Sequence, residues 1–435
     1  MERTQLLELV RCPVTGERLV EKGGELISSV SHADSARRYP IIDQDVACLY
    51  PRPQEAILEW GSRVKHFTQL ERDHLKQLQQ TANHQDSNST RQRLHKQHEA
   101  RHKNLAQIEK LLADWIPDKA LPKNQNSQQI FSYFQLLFRD WCWGDELESY
   151  SDFVLDKVSV DSQKNVLILG SGAGGLSYRL ANALPKSRLL SIEHNPFLAL
   201  ASARIMQGKS IKLYDYTLYP RTLELVAQKH EIKTAKLEHG NHAVVLGEFP
   251  ALPIAEAEFD TVVAPWFLDI LDQNFESALG DCLRFVKDDG QLLFIGPANV
   301  HSEYYEEQLC STEILEMLQS KFEHVEHEQR RVPYLDSPLE SQARMESVLF
   351  VCATGLKRGE HSQPKNGGSD SILRDSPELQ QYRLKLATTQ QILSVVEGDI
   401  TAPELAEQLE KKFGFDESDS LHYARLFIAQ ISKEI

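Results

Sequence analysis

The segment from Asn165 to Asn195, NVLILGSGAGGLSYRLANALPKSRLLSIEHN, carries the clearest chemical pattern in the chain. An apolar run enters the glycine turn GSGAGG at 170–175, and a helical segment leads to a second apolar run that ends at Glu193. Glycine lets the backbone turn sharply and approach a ligand closely. A carboxylate about 20 residues further on can accept hydrogen bonds from both ribose hydroxyls. The pattern predicts a nucleoside-binding βαβ unit for either a dinucleotide or S-adenosylmethionine.

Two segments further along the chain favour the second of these cofactors. LGEFPALP follows the third strand-like run, and APWFLDIL follows the fourth. In the methyltransferase layout an acidic residue after the third strand accepts the adenine amino group, and its apolar neighbour packs on the ring. Glu248 and Phe249 suit these two roles, and the backbone around Pro265 would flank the methionine part of the cofactor. A dinucleotide dehydrogenase would instead need a hydride-stabilising residue and a second substrate domain downstream.

With these segments in place, the chain resembles the carnosine N-methyltransferases, class I S-adenosylmethionine enzymes that methylate an imidazole nitrogen of a histidine-containing dipeptide. The resemblance covers about residues 128–354. Five motifs occur in the family's order: IFSYFQLLFRDWCWGDELESY, GSGAGGLSYRLA, IEHNPFLALASARIM, WFLDILDQNFESALGDCLRFVKDDGQLLFIGPANVH and RRVPYLDSPLESQARMESVLFVCA.

The resemblance implies a set of site residues. Those expected to bind the cofactor are Arg139, Gly170, Gly172, Gly174, Glu193, Glu248, Phe249 and Pro265. Those expected to act on the acceptor are Asp269, His301 and Tyr334. Each of the last three has an ordinary structural alternative, because Asp269 could cap a helix starting at Ile270, His301 could lie on a surface loop, and Tyr334 could sit at the edge of the core.

The expected chemistry is an in-line displacement at a sulfonium, in which the enzyme positions the nucleophile and keeps its attacking nitrogen unprotonated. A carboxylate at Asp269 could accept the N–H of an imidazole ring and so select the tautomer whose other nitrogen faces the methyl group. His301 and Tyr334 could supply further hydrogen bonds to the acceptor.

The chain departs from the family pattern at positions that affect the acceptor. The family's second tyrosine is replaced by Met345, which removes one hydrogen bond to a polar substrate. Glu248 replaces the usual aspartate and can do the same work with a longer side chain. We therefore expect an acceptor other than carnosine.

The apolar runs between residues 161 and 356 alternate with helical segments, which predicts an α/β fold with a Rossmann-like class I core. We expect a mostly parallel seven-stranded sheet, closed by an antiparallel pair at FEHVEHEQRRVPY and ESVLFVCATG. Residues 54–160 are predicted to be helical and to lead into this core, and 357–375 to be a linker. Residues 376–435 have repeated helix starts and weakly resemble small winged-helix, peptide-recognition modules.

Residues 1–53 form a turn-rich α+β unit that resembles the small zinc-ribbon-like domains accompanying certain tRNA and protein methyltransferases. The second cysteine expected after the Cys-Pro pair is missing from CPVT at 12–15, so we expect no metal there. His95, His98 and His102 share one predicted helical face with basic residues, which favours a solvated surface over a metal site.

Composition narrows the function classes. The 435 residues carry a formal charge of −15, which disfavours a general binder of nucleic-acid backbones but leaves room for a local basic groove. The chain shows no signal-like leader and no apolar run approaching the roughly 18 residues of a membrane span, so we expect no membrane partner. Six scattered cysteines predict free thiols in a cytoplasmic protein.

The sequence thus predicts a methyltransferase whose acceptor is the imidazole of a histidine-containing small molecule or peptide. Two alternatives stay open at this point. One is methylation of a protein, peptide or tRNA, and the other is a cofactor-binding scaffold without turnover.

Overall fold

The computed structural model describes residues 1–29, 37–43, 45–115, 134–144, 146–160, 162–271, 274–297, 307–340 and 343–357, then 372–373, 400–413 and three single positions further on. The chain divides into two compact units, Met1–Lys357 and Arg358–Ile435. The predicted catalytic residue His301 lies outside the described residues, as does most of the predicted winged-helix module at 376–435.

Nine α-helices are described in the first unit. They are α1 (Arg3–Leu9), α2 (Pro53–Asn83), α3 (Asn88–Leu111), α4 (Phe134–Trp141), α5 (Glu146–Lys157), α6 (Gly175–Ala183), α7 (Pro196–Met206), α8 (Phe275–Leu283) and α9 (Ser311–Lys321). Most of the described residues between 54 and 160 therefore lie in helices, and the predicted bounds of this region stay predictions. The polar stretch TANHQDSNST breaks α2 from α3, and the Ser87 side chain caps α3 by accepting the N–H of Thr90.

Thirteen strands are described in the same unit. They are β1 (Leu19–Lys22), β2 (Glu25–Ser28), β3 (Arg38–Ile42), β4 (Val46–Cys48), β5 (Asn165–Leu169), β6 (Arg188–Glu193), β7 (Ile211–Tyr216), β8 (Ala227–Ile232), β9 (His242–Leu246), β10 (Phe259–Pro265), β11 (Val286–Pro297), β12 (Phe322–Pro333) and β13 (Met345–Leu356).

The central sheet has the predicted class I arrangement. Its order is β1-β2-β3-β4-β9-β6-β5-β10-β11-β13-β12. The run from β9 to β11 is parallel, and β13 and β12 close it as an antiparallel pair. All five residues of β5 are buried, as expected for a strand covered by helices on both faces. The α/β class I core is therefore confirmed, but the seven strands from β9 to β12 belong to a sheet of eleven strands and not of seven.

The N-terminal residues extend this sheet instead of packing beside it. β1 to β4 form an antiparallel meander, and β4 pairs in parallel with β9 through Ala47–Val245 and Cys48–Leu246. The Cys12 thiol is buried 3.0 Å from the Tyr39 hydroxyl. Residues 1–357 consequently form one compact unit, and the boundaries predicted within it stay predictions.

The sequence did not predict the β7–β8 hairpin, which forms its own two-stranded sheet between α7 and β9. The hairpin packs on α3, where the Asn104 side chain donates to the Tyr214 carbonyl and accepts the Tyr214 N–H, both at 2.7 Å. The second unit contains β14 (Ile372–Leu373), β15 (Ile400–Thr401) and α10 (Ala402–Phe413) among its described residues, so the winged-helix prediction stays open.

No helix in the described part of the chain is long and apolar enough to cross a membrane. Within that part, no group of three or more His, Cys, Asp or Glu side chains could hold a metal ion. All six cysteines are free thiols.

Candidate active site

The predicted nucleoside site begins where β5 and β6 end side by side. The Glu193 carboxylate at the tip of β6 accepts the N–H of Gly172 at 2.7 Å and the N–H of Asn195 at 2.8 Å. The residue is 7% exposed, and burial raises the pKa of its carboxyl from 4.5 to about 7, against the lowering effect of these backbone donors. The structure therefore places the predicted ribose-binding carboxylate directly on the glycine turn.

Three of the four glycines of the turn adopt left-handed backbone conformations, with φ of +61° at Gly170, +57° at Gly172 and +85° at Gly174. A Cβ on Gly170 would lie 2.8 Å from the Phe267 ring. At Gly172 the only atom within 4 Å would be a guanidinium nitrogen of Arg139, at 3.9 Å. The turn therefore packs against the core at Gly170, whereas the space beside Gly172 is open toward Arg139. A side chain at position 172 would fill this space.

Arg139 reaches the turn from α4 and is held by two carboxylates. Its guanidinium lies 2.8 Å from Asp140 and 3.9 Å from Glu146. Burial alone would lower the pKa of Arg139, but these carboxylates raise it above its ordinary value. The second oxygen of Asp140 accepts the N–H of Gly175, the first residue of α6, at 2.9 Å. Asp140 therefore ties Arg139 to the helix that follows the glycine turn, a role that the sequence did not reveal.

The predicted adenine side lies at the end of β9. The Phe249 and Phe267 rings meet edge to face at 5.3 Å, so Phe249 continues the apolar wall that begins over Gly170. Glu248 is exposed at the surface, yet partial burial of its carboxyl and the charge of Glu59 raise its pKa, while Arg52 and Arg63 oppose this.

The N-terminal residues contribute a further wall that the sequence analysis missed. The Tyr50 hydroxyl donates to the His194 carbonyl at 2.5 Å, immediately beyond Glu193. Burial, with a contribution from the carboxylates of Glu193 and Glu248, raises the pKa of Tyr50. The Trp60 ring meets the His194 ring at 5.3 Å. No sequence motif pointed to these residues, because their partners lie more than 130 positions away.

The predicted acceptor side lies where β10 and β11 end. Trp266 follows Pro265 with a left-handed φ of +51°, and its ring packs against that of Tyr334 at 4.3 Å. The Asp269 carboxylate lies beside the end of β11, since a Cβ on Gly296 would be 3.6 Å from its Oδ1. The structure therefore brings Asp269, Tyr334 and the end of β10 together.

Electrostatics link these acceptor-side residues to Arg139. Burial raises the pKa of the Tyr334 hydroxyl, and the carboxylate of Asp269 adds to this rise while Arg139 and Arg344 lower it. The Arg344 guanidinium lies over the Tyr334 ring at 4.5 Å. Tyr334 is half-buried, so it is available to a ligand from one side.

The alternative interpretation of Asp269 as a helix cap does not fit. Asp269 lies inside a 3-10 helix at Leu268–Ile270, and the following helix α8 is capped by Asn274, whose side chain accepts the N–H of Ser277 at 2.8 Å. The position of Tyr334 against Trp266 is compatible with both its predicted role and a place at the core edge.

Comparison with known proteins agrees with this arrangement. Residues 167–294 match the family model described as a methyltransferase domain. No protein with curated function matches the chain.

Solved structures with some similarity include a SAM-dependent methyltransferase from Aquifex aeolicus, with 16% identity over 52% of this chain and 100% of that chain, and a TM-score of 0.34. The N-methyltransferase NodS from Bradyrhizobium japonicum, solved with S-adenosyl-L-homocysteine, has 16% identity over 52% of this chain and 99% of its own, and the same TM-score of 0.34. At such low similarity, these structures add nothing to the geometry of the site.

The residues around the glycine turn fit S-adenosylmethionine, because a buried carboxylate, an open glycine and an apolar wall converge on one cleft. The matched domain and the cleft that its residues build identify the protein as an S-adenosylmethionine-dependent methyltransferase with an α/β class I fold.

Proposed function

We propose that this methyltransferase transfers a methyl group to an imidazole nitrogen of a histidine-containing small molecule or peptide. One observation carries the proposal: the carboxylate of Asp269 lies near the half-buried phenol of Tyr334 at the end of β10 and helps to raise the pKa of its hydroxyl. A carboxylate in that position can accept a ring N–H, and a neighbouring hydroxyl can bond a second polar group of the acceptor.

Each group of the cleft then has a definite task. When bound, S-adenosylmethionine supplies an electrophilic methyl group on a sulfonium. Glu193 would accept hydrogen bonds from its ribose, and Glu248 and Phe249 would hold the adenine. Arg139 would contact the cofactor near the open face of Gly172, and the backbone at Pro265 would flank the methionine part of the cofactor.

Asp269 would act on the acceptor by binding the N–H of the imidazole ring. This contact fixes the tautomer, so the unprotonated nitrogen faces the methyl group. The proton that the product must lose is then already directed at a carboxylate. His301, which lies outside the described residues, would add a hydrogen bond as the family resemblance implies.

The acceptor would differ from carnosine, because Met345 replaces a tyrosine of the family pattern. Met345 is 43% exposed at the start of β13, opposite Pro333, and so offers an apolar surface instead of a hydroxyl. A protein, peptide or tRNA acceptor is the alternative, and no described residue favours it.

We also propose roles for the flanking regions. The unit at 1–53 would be a metal-free relative of the zinc-ribbon-like accessory domains, and the module at 376–435 would recognise a peptide partner. The free thiols suit a reducing compartment, which supports a cytoplasmic location.

The test of the acceptor is methyl transfer from radiolabelled cofactor to histidine, β-alanyl-histidine and short histidine peptides. In Asp269→Asn, binding of S-adenosylhomocysteine should stay within about twofold of wild type, while turnover should fall about a hundredfold or more. Asp152→Asn, at an exposed position of α5, is the matched control and should retain full activity.

Two results would count against the proposal. Wild-type turnover by Asp269→Asn would remove the imidazole-orienting role. Transfer to other compounds of a cell extract, with none to any imidazole compound, would show that the acceptor class is wrong.

A further inference from the structure

A second cavity lies outside the cleft described above. It has a volume of about 400 Å³ and is lined by residues of α2, α3 and α4, by the end of β7 with the residues that follow it, and by Glu340. This size is within the range of small-molecule sites. The side chains that matter for its chemistry are Arg101, Phe138, Tyr214, Asp215, Tyr216 and Glu340.

Asp215 is a buried carboxylate that faces this cavity. The residue is 4% exposed, and its Oδ2 accepts the indole N–H of Trp143 at 2.7 Å. Among the described residues, no other side chain donates to this carboxylate and no cation pairs with it. Burial, together with the nearby charge of Glu340, raises its pKa to about 6. A buried carboxylate without a cation is costly, and the described residues supply no cation to Asp215, so a positively charged ligand would be favoured beside it.

The one cation among the described lining residues is already engaged. Arg101 forms two hydrogen bonds with the Glu71 carboxylate, at 2.9 and 2.5 Å, and its guanidinium lies over the Tyr216 ring at 5.8 Å. Glu340 uses one oxygen to accept the Thr217 hydroxyl at 3.0 Å. The cavity therefore has a net negative charge supplied by Asp215 and Glu340.

The rest of the lining suits an organic cation better than a metal ion. Phe138 and the tyrosines at 214, 216 and 219 line the cavity, and aromatic rings attract ammonium and guanidinium groups. Of the three carboxylates that line the cavity, Glu71 is paired with Arg101, and within the described part of the chain no cluster of metal-binding side chains forms.

The cavity and the methyl-transfer cleft share two structural elements. In α4, Phe138 lines the cavity and the next residue, Arg139, faces the glycine turn. The loop after β12 begins at Tyr334 on the acceptor side and reaches Glu340 in the cavity wall, where Glu340 bridges to Pro220 beyond the hairpin strand β7.

We infer that this cavity binds the ammonium- or guanidinium-bearing end of the methyl acceptor. The identity of the ligand as the acceptor rests on the proposed function, whereas the preference for an organic cation rests on the cavity itself. The methyltransferase would then select positively charged acceptors through Asp215 and Glu340.

The cavity is tested with phenethylamine and 2-phenylethanol, which share a ring and chain but differ in the ammonium group. Calorimetry at pH 8 should show at least tenfold tighter binding of the amine. Asp215→Asn and Glu340→Gln should each weaken amine binding about tenfold. Glu231→Gln, an exposed carboxylate on the same hairpin, should bind as wild type. Equal binding of the two probes would overturn the inference, and so would wild-type amine binding by both cavity variants. If Asp215→Asn fails to fold, the result for Glu340→Gln decides.

The link to methyl transfer is tested with β-alanyl-histidine and its N-acetyl derivative, in which only the ammonium is lost. We expect the acetylated compound to have a KM at least tenfold higher. Methylation of both with equal KM would reject the inference and leave the imidazole proposal intact. If neither compound is methylated but phenethylamine binding still depends on Asp215, the imidazole proposal is rejected and the cation site is retained.

Discussion

Lowering the pH from 8 to 6 should weaken the binding of S-adenosylhomocysteine about tenfold, because Glu193 must be ionised to hold the ribose. In the free protein the pKa of this carboxyl is about 7, since the group is buried against the glycine turn. Two ribose hydroxyls would donate to it, and hydrogen bonds to an ionised acceptor are roughly twice as strong as those to a neutral one.

The magnitude follows from the pKa. With a value of about 7, roughly nine-tenths of the protein carries an ionised Glu193 at pH 8 and roughly one-tenth at pH 6. If only the ionised form binds well, the apparent dissociation constant rises by the ratio of these fractions, about tenfold. Above pH 8 the affinity should level off.

The same carboxyl makes the ligand-free protein less stable as the pH rises. Its folded pKa exceeds the ordinary 4.5, so the folded state holds the proton more tightly than the unfolded chain. The stabilising contribution of protonated Glu193 is therefore complete below about pH 4.5. As the pH rises towards 7, the free energy of unfolding falls by about 3 kcal/mol. The bound cofactor should offset this loss, because its hydroxyls replace the missing solvation.

The assay is isothermal titration calorimetry with S-adenosylhomocysteine between pH 6 and 9, paired with urea unfolding of the ligand-free protein. Glu193→Gln should bind at least tenfold more weakly at pH 8 and should lose most of the pH dependence in both measurements. Glu231→Gln is the matched control, since it removes an exposed carboxylate outside the cofactor cleft and should keep the slope. A slope that persists in Glu193→Gln would refute the assignment of the titrating group.

Three further substitutions and one double variant test how the turn is held. Gly174→Ala should lower the free energy of unfolding by about 2 kcal/mol or more, because its Cβ would lie 2.0 Å from the Ser202 hydroxyl. Gly172→Ala has only Arg139 nearby and should lower the free energy of unfolding, measured by urea unfolding, by about 1 kcal/mol. Asp140→Asn should cost about 3 kcal/mol, because it leaves the buried guanidinium of Arg139 without its closest carboxylate. Adding Arg139→Gln should recover part of that loss, and a purely additive double variant would contradict the pairing.

The parallel core could be predicted because its signals are local. NVLILG and SRLLSIE are apolar runs of strand length, and β5 and β6 are buried along almost their whole length. The glycine turn and Glu193 mark the end of each strand in the sequence itself. Since parallel strands finish at one edge of a sheet, the approximate place of the candidate site followed directly.

The β7–β8 hairpin was missed because only one of its strands has a strand-like pattern. In β7 the buried positions alternate along IKLYDY, whereas β8, AQKHEI, has three exposed residues and a single buried one. The hairpin is stabilised instead by contacts with α3 that are far away in sequence, such as that of Asn104 with Tyr214. The cavity lined by Asp215 depends on this hairpin and was equally hidden.

The contribution of the N-terminal residues to the cofactor cleft follows from one strand pairing. In a seven-stranded sheet β9 would be an exposed edge, and β4 covers that edge by adding in parallel. Because parallel partners end on the same side, Tyr50, two residues after β4, emerges beside Glu248, two residues after β9. Tyr50 then bonds the backbone next to Glu193. If the N-terminal residues formed a separate domain packed against the core, the cofactor cleft would be complete without them. Because they add a strand to the sheet, residues 46–50 form part of the wall of the cleft.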